Sequence, residues 1–349
     1  MSKVIKMETT KMNTSFQMRL NRRNVLAAMG VAATVGLSSS PVFGARQITI
    51  RFNHTDGPGG DGYHFSEKLK SLLAERTNGR IQVQNTHSGQ LGAERDMYDS
   101  MQIGAIEMGR SGSLIISVAA PLYAALDMPY LFRSQQHLRN VLSGPIGQAM
   151  HQEFLTRRGI RVLGIVNRGP RHLTTSNRPV RTPADLAGLK LRVPEIAVYL
   201  AAWRALGASP TPMAFPEVFT ALQQGTIDGQ ENPLSTIHGN SFHEVQRHLV
   251  LTTHVRGNGW MIASERFWQS LTEADRRLLQ QAVNDASAHA DEQIAQREVG
   301  LLATLRQRGM NVIEPDINAF STVVQREVPP RFADRWLPGL LDAVIRTAG

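Results

Sequence analysis

The chain has 349 residues, enough for two domains, and its 42% hydrophobic and 19% charged residues are typical of a globular protein. The formal net charge is +9, but no block of like charge occurs, so the sequence gives no support for a nucleic-acid partner. The absence of cysteine excludes disulfides and thiol nucleophiles. No stretch reaches the roughly 18–20 apolar residues that a membrane span needs.

Residues 1–44 have the pattern of a signal peptide. Basic residues, among them the pair Arg22-Arg23, precede an apolar stretch over residues 25–37, and small residues follow, so we expect cleavage near Gly44 or Ala45. The arginine pair fits the twin-arginine export route, and ordinary secretion fits as well. Both routes predict a periplasmic protein. Removal of this segment takes away six basic residues and one acidic residue, which lowers the formal net charge from +9 to +4.

Strand and helix patterns alternate along the mature chain, which predicts an α/β architecture. The patterns of its first third are strands at 48–53, 80–84 and 107–110 and a helix at 63–76. Ligands of such sheets bind beyond the carboxyl ends of the strands. The loops 53–62, 86–94 and 110–114 are therefore candidates to line a cleft.

The middle of the chain continues with a helical pattern at 146–157 and a buried strand at 160–166. Residues 167–177 follow as an extended, Thr-rich segment that carries Arg171 and His172. Residues 271–308 form a long segment with few helix breakers. A helix of that length could bridge two lobes.

Residues 189–194 alternate apolar and basic side chains, the period of a half-buried strand, and Pro194 ends the pattern. Arg192 is thus expected at a strand end that faces a cleft or solvent. Its planar fork can hold a carboxylate through two parallel hydrogen bonds. That carboxylate could equally belong to the protein itself, with Glu195 and Glu231 as the nearest choices.

Two runs, GLKLRVP at 188–194 and GASPTPMAFPEVFTALQQGTIDGQENP at 207–233, carry a family resemblance. They resemble the solute-binding proteins of TRAP transporters, the DctP-type family, and the TPMAF segment is similar to the sialic-acid and sugar-acid branch. The resemblance covers nearly the whole mature chain. It implies a two-lobed periplasmic protein with a central cleft, a long helix that contacts both lobes, and a membrane-embedded permease as partner. The implied lobes are 45–168 with about 258–297, and 169–257 with about 298–349.

The same resemblance implies ligand-binding residues. Arg192 matches the arginine that holds the ligand carboxylate, and Asn232 matches the amide beside it. Arg171 matches a second arginine of the sugar-acid branch, with His172 as the competing match. Phe215 corresponds to an aromatic ring that packs on the ligand. Several charge-assisted bonds around one carboxylate make physical sense, because an unpaired buried anion is very costly.

Other positions bear on the identity of the ligand. Gly112 stands where the sialate branch has a carboxylate, and Glu94 stands where that branch has an acidic residue that contacts hydroxyl groups. We therefore expect a smaller sugar acid, a uronate or an aldonate, with sialic acid or another carboxylate as the alternatives. The remaining candidate ligand-binding residues are polar loop residues that could bond a polyol or simply form turns: His54, Thr55, Asp56, Ser111 and Ser113.

Enzyme and metal signals are weak in this sequence. His54, Asp56, Asp61 and His64 lie close together, but their spacing is loose for a metal site. No phosphate-binding loop and no nucleophile elbow is present. We expect a binding protein without cofactor or metal. A periplasmic enzyme acting on sugar acids, and a binding protein that serves a sensor, stay open as alternatives.

Overall fold

The structure is a computed structural model that describes residues 46–347, so the predicted signal peptide lies outside the described residues. Within that range the strands are β1 (Ile48–Asn53), β2 (Ile81–Thr86), β3 (Met108–Ser111), β4 (Ile160–Thr175), β5 (Lys190–Val193), β6 (Ser209–Pro212), β7 (Gly229–Pro233), β8 (His248–Val250), β9 (Arg256–Ser264) and β10 (Asn311–Ile313). The α-helices are α1 (Asp61–Arg76), α2 (Glu94–Ile103), α3 (Leu114–Ala119), α4 (Gln135–Ser143), α5 (Pro145–Arg158), α6 (Ala197–Ala205), α7 (Val218–Gln223), α8 (Leu234–Gly239), α9 (Phe242–Val245), α10 (Glu265–Ser270), α11 (Glu273–Gln307), α12 (Ile317–Glu327) and α13 (Leu340–Arg346).

The strands form one mixed sheet in the order β2-β1-β3-β9-β4-β7-β5-β6, with β8 joining β4 to β10. β1 is parallel to β2 and β3, and β5 is parallel to β6 and β7. β9 and β4 run antiparallel to their neighbours on this path. The sheet thus has a first half, with β1, β2, β3 and β9, and a second half, with β5 to β8 and β10, which meet along β4. The predicted α/β architecture is confirmed.

β4 is longer than the sequence pattern predicted. The predicted strand ends at Val166, and the polar segment after it, which was expected to be extended, belongs to the same strand as far as Thr175. Its backbone groups pair first with β9, up to Pro170, and then with β7 from Arg171 onwards. A register shift between Asn167 and Gly169 interrupts the ladder. Tertiary pairing, which apolar periodicity cannot show, extends the strand.

Helix α11 has 35 residues and is about 50 Å long at 1.5 Å per residue. The Thr272 hydroxyl caps its start by accepting a hydrogen bond from the Asp275 amide at 3.1 Å. The helix packs against α1 of the first half of the chain, against β4, and against α8. It follows the segment predicted at 271–308. Its apolar side chains Leu279, Val283 and Ile294 are buried.

Over residues 46–347, no helix combines the length and the apolar character that a membrane crossing requires.

Candidate functional site

A cavity of about 260 Å³ opens where the two halves of the sheet meet. Its walls come from the loops after β1, β3 and β5, from the start of α2, and from side chains of β4 and β7. Carboxyl ends of strands are the usual position for ligands in α/β sheets. The predicted site residues that line it are Thr55, Asp56, Glu94, Ser113, Arg171, Arg192, Phe215 and Asn232.

Arg192 lies in the cavity wall, and only 3% of its surface is exposed. Its Nε and Nη2 both donate to the Met213 carbonyl oxygen, at 3.0 and 2.7 Å. Burial lowers the pKa of Arg192 to about 10, so the guanidinium stays charged at neutral pH. The sequence pattern placed Arg192 at a strand end that faces a cleft or solvent, and in the structure it lies buried in the wall of a cavity.

The two carboxylates that could have neutralised Arg192 have other partners. Glu195 accepts a hydrogen bond from Arg95 at 2.7 Å on the rim of the cavity. Glu231 is gripped by Arg171. Within residues 46–347, no carboxylate lies within ion-pair distance of Arg192, so its charge is uncompensated by direct contact. A buried cation in a cavity wall is a suitable partner for an anionic ligand.

Arg171, Glu231 and His254 form a buried chain of charge-assisted hydrogen bonds. Arg171 donates to both carboxylate oxygens of Glu231, from Nε at 2.5 Å and from Nη2 at 2.8 Å. His254 Nε2 lies 2.7 Å from the same carboxylate. Burial would raise the pKa of Glu231, but Arg171 and His254 hold it at about 2. Arg171 therefore lines the cavity with two of its three guanidinium nitrogens, Nε and Nη2, already bonded to Glu231.

Asn232 and Phe215 lie beside Arg192 in the same wall. The Asn232 side chain donates from Nδ2 to Gln230 Oε1 at 2.6 Å, which orients the amide. The guanidinium carbon of Arg192 lies 5.7 Å from the centre of the Phe215 ring. This end of the cavity combines a cation, an amide and an aromatic face.

The other charged part of the cavity wall, its second end, is built on a cluster of four buried charges, Asp56, Asp61, Arg110 and Arg168. Arg110 donates to both oxygens of Asp61 at 2.8 Å, and its Nε lies 3.2 Å from Asp56. Arg168 Nε donates to Asp61 at 3.0 Å. Burial would raise the pKa of Asp56, but the two arginines hold it at about 2. With both carboxylates bound to arginine, the loose metal pattern around residues 54–64 has no free acidic ligands.

Two glycines make room for these carboxylates. A Cβ at Gly259 in β9 would come within 2.0 Å of Asp61 Oδ2, and one at Gly62 would come within 2.7 Å of Asp56 Oδ2. The Gly62 amide also donates to Asp56 at 3.0 Å. The glycine-rich loop after β1 is thus part of the charged cluster as well as a turn.

Glu94 begins α2 and faces the cavity next to this cluster. Its Oε1 accepts a hydrogen bond from the Gly112 amide at 2.9 Å. Gly112, at the position where the sialate branch has a carboxylate, instead supplies this backbone donor. The Ser113 hydroxyl lies 3.4 Å from the Tyr199 hydroxyl, and both residues line the cavity.

Two predicted residues lie behind the cavity wall, which corrects the sequence-based site. The His54 ring is completely buried and faces the Ser66 hydroxyl of α1, 3.5 Å away. The Ser111 hydroxyl packs against the Tyr98 hydroxyl and is fully buried. His172, the competing match for Arg171, also does not line the cavity, because neighbouring strand residues point to opposite faces.

Sequence reasoning missed Arg110 and Arg168 as cavity residues. Arg110 interrupts a strand whose four residues are all buried, and Arg168 follows directly after a buried apolar strand. A lone arginine in such a setting requires a buried partner or a ligand, and that signal could have identified both residues. Tyr199 of α6 was missed because it lies among the buried apolar residues of its helix, a pattern that indicates core packing.

The fold and the cavity together define an α/β protein that binds a small anionic solute between two halves of its sheet. The chain belongs to the bacterial extracellular solute-binding protein family 7, DctP, whose model matches residues 52–334. The predicted family is confirmed, and with it the TRAP-type solute-binding function and the two-lobed fold class.

Two bacterial relatives illustrate the similarity in sequence. A solute-binding protein of Roseobacter denitrificans is 37% identical over 298 residues, which cover 85% of this chain and 91% of the relative. The sialic acid-binding periplasmic protein SiaP of Vibrio cholerae is 35% identical over 282 residues, 79% of this chain and 86% of the relative.

Solved structures agree with these sequence relatives. The crystal structure of the Roseobacter denitrificans protein with bound L-galactonate has a TM-score of 0.80 at 34% identity, covering 86% of this chain and 99% of that one. A TRAP solute-binding protein of Polaromonas bound to D-erythronate has a TM-score of 0.82 at 32% identity, covering 87% and 100%.

Proposed function

We propose that the protein captures an aldonate or a closely related sugar acid in the periplasm and delivers it to a membrane-embedded TRAP permease. The observation that carries this proposal is Arg192, a buried cation in a cavity wall whose only hydrogen-bond acceptor in the described range is a backbone carbonyl. A ligand carboxylate supplies the missing negative charge.

The ligand carboxylate binds at the Arg192 end of the cavity. Nη1 of Arg192 is left free by the bonds to Met213 and donates to the carboxylate, together with the amide of Asn232. Arg171 adds its own Nη1, since its Nε and Nη2 are held by Glu231. Phe215 packs on the carbon chain of the ligand. Charge-assisted bonds of this kind replace the water that the carboxylate loses on burial.

The choice of an aldonate rests on the similar proteins and on the size of the cavity. The relatives from Roseobacter and Polaromonas bind L-galactonate and D-erythronate, which are open-chain polyhydroxy acids. A cavity of about 260 Å³ is large enough for a ligand of that size. Gly112 adds no carboxylate at the position where the sialate branch has one, and its amide donates to Glu94.

Binding is coupled to closure of two lobes, 45–168 with about 258–297 and 169–257 with about 298–349. In this proposal the elements that cross the boundaries between the lobes are β4, β9 and α11. Closure is driven by the higher affinity of the ligand for the closed state. The closed form is then the form that the permease recognises.

Isothermal titration of the mature protein, from Ala45 onwards, tests this proposal. The panel contains galactonate, erythronate, galacturonate, sialate and succinate. We expect saturable binding that is tightest for an aldonate, and Arg192→Ala should weaken it at least 100-fold, since breaking a buried ion pair costs about 3–5 kcal/mol.

Arg161→Ala is the matched control, because Arg161 pairs with Glu265 away from the cavity and its loss should leave affinity unchanged. Tightest binding to sialate or succinate would overturn the aldonate assignment. Binding that Arg192→Ala leaves intact would show that another residue holds the carboxylate. Chemical conversion of the bound sugar acid would favour an enzyme instead.

A further inference from the structure

The two ends of the cavity differ in charge. The first end contains the guanidinium groups of Arg171 and Arg192 and one carboxylate, Glu231, which pairs with Arg171, so its formal charge is +1. At the second end two guanidinium groups face three carboxylates, which gives a formal charge of −1. The groups of the second end are Arg110, Arg168, Asp56, Asp61 and Glu94.

Arg168 has a free donor in the cavity. Its Nε donates to Asp61 at 3.0 Å and its Nη2 donates to the Thr236 hydroxyl at 3.1 Å, so these bonds fix the orientation of the guanidinium. Nη1 has no partner among residues 46–347 and lies beside Gly112 in the cavity wall, 3.4 Å from where a Cβ of that residue would be. Only 6% of Arg168 is exposed, and the residue lines the cavity.

Arg110 and Glu94 complete the polar surface at this end. Arg110 Nη1 lies 3.7 Å from Glu94 Oε1, too far for a hydrogen bond. Glu94 is itself held in place by the Gly112 amide. The second end therefore offers N–H donors from two arginines and carboxylate acceptors from Glu94, all in fixed positions.

Such a mixed surface distinguishes between two kinds of ligand end. A hydroxyl group can donate to Glu94 and accept from Arg168 at the same time. A second carboxylate can only accept, and it would lie next to Glu94 at an end that already has an excess of negative charge.

We propose that Arg168, with Arg110 and Glu94, forms a specificity subsite that binds the hydroxyl groups at the far end of the ligand and excludes a second carboxylate. This inference rests on the proposed function, because it assumes that a ligand carboxylate binds Arg192. The preferred ligands are polyhydroxy monocarboxylates, and the corresponding diacids bind much more weakly.

Titration with matched pairs of acids tests the subsite. Galactonate is compared with galactarate, and erythronate with meso-tartrate, so that each pair differs only in a terminal hydroxymethyl or carboxylate group. For the pair of acids that it binds, the wild-type protein should have an affinity at least 30-fold higher for the monoacid than for the diacid. Glu94→Gln keeps the acceptor for the Gly112 amide but removes the negative charge, and it should reduce that preference at least tenfold.

A second variant, Arg168→Met, tests whether Arg168 contacts the terminal hydroxyl group of the ligand. Removal of the terminal hydroxyl, as in 6-deoxygalactonate or 2,3-dihydroxybutanoate, should weaken binding to the wild type about tenfold. In Arg168→Met the same removal should change affinity by less than twofold, because the donor is already gone. A general loss of stability would weaken the binding of the hydroxylated ligand and of its deoxy analogue equally. Only a direct contact with the hydroxyl group changes the ratio of the two affinities.

The outcomes separate this inference from the proposed function. If the wild type binds monoacids and diacids equally, or if Glu94→Gln and Arg168→Met leave the ratios unchanged, the subsite is overturned while sugar-acid capture stands. If no sugar acid binds to the wild type, the proposed function fails and the subsite fails with it.

Discussion

Arg110 and Arg192 are the same residue type, are almost equally buried, and line the same cavity, yet their surroundings differ. Arg110 grips Asp61 with two hydrogen bonds of 2.8 Å and lies 3.2 Å from Asp56. Among residues 46–347, Arg192 donates only to the Met213 carbonyl. Burial alone therefore does not identify an arginine that can bind a ligand. An arginine is suited to an anionic ligand when no carboxylate of the protein pairs with its guanidinium group.

Pairing of a buried arginine with a carboxylate of the protein has opposite consequences for protein stability and for ligand binding. Desolvation of a guanidinium is costly, and in Arg110 this cost is offset within the folded protein by two carboxylates. In the proposed function the charge of Arg192 is compensated only when an anion binds, so free energy that could stabilise the empty protein becomes affinity for the ligand. The following predictions test this contrast.

The largest effect on stability is expected for Arg110→Met. The substitution leaves Asp56 and Asp61 buried with Arg168 as their remaining cationic partner, and breaking such a buried pair costs about 3–5 kcal/mol of unfolding free energy. The matched variant Arg192→Met strands no carboxylate and should change the unfolding free energy of the empty protein by only about 1 kcal/mol. Urea denaturation of both variants measures the difference. Equal destabilisation by the two substitutions would refute the contrast.

A somewhat smaller effect is expected from the Arg171–Glu231 pair under acid conditions. The folded-state pKa of Glu231 is about 2, below its ordinary value of 4.5, so the pair stabilises the protein above pH 4.5 and this contribution is lost as the pH falls towards 2. The shift corresponds to roughly 3 kcal/mol. Glu231→Gln should therefore flatten the decline of unfolding free energy between about pH 5 and pH 2, and an unchanged slope would argue against the pairing.

The smallest effect is expected at the aromatic wall of the cavity. Phe215→Leu keeps an apolar side chain but removes the ring over Arg192 and the ligand chain, so affinity for the aldonate should fall about three- to tenfold, or roughly 1 kcal/mol. Phe219→Leu is the control, since Phe219 packs in the neighbouring apolar cluster and does not line the cavity. Titration calorimetry should separate the two variants, and equal losses of affinity would remove Phe215 from the site.

The order of strands and helices was predictable because it depends on local patterns. Alternation located β1 and β5, and the absence of breakers located α11. Family motifs led to Arg192 and Asn232, which the structure brings into one cavity wall. The motifs did so because each belongs to a continuous run of sequence.

The family, the α/β architecture and the residue types at the Arg192 end of the cavity could be predicted from the sequence. Three features became visible only in the folded chain: which arginines are already paired, the position of His54 and Ser111 behind the wall, and the presence of Arg168 at the cavity. The reason is physical: Asp61 meets Arg110 and Arg168 across 49 and 107 residues of chain. Such contacts depend on strand register and helix packing, which a local pattern of hydrophobicity does not predict.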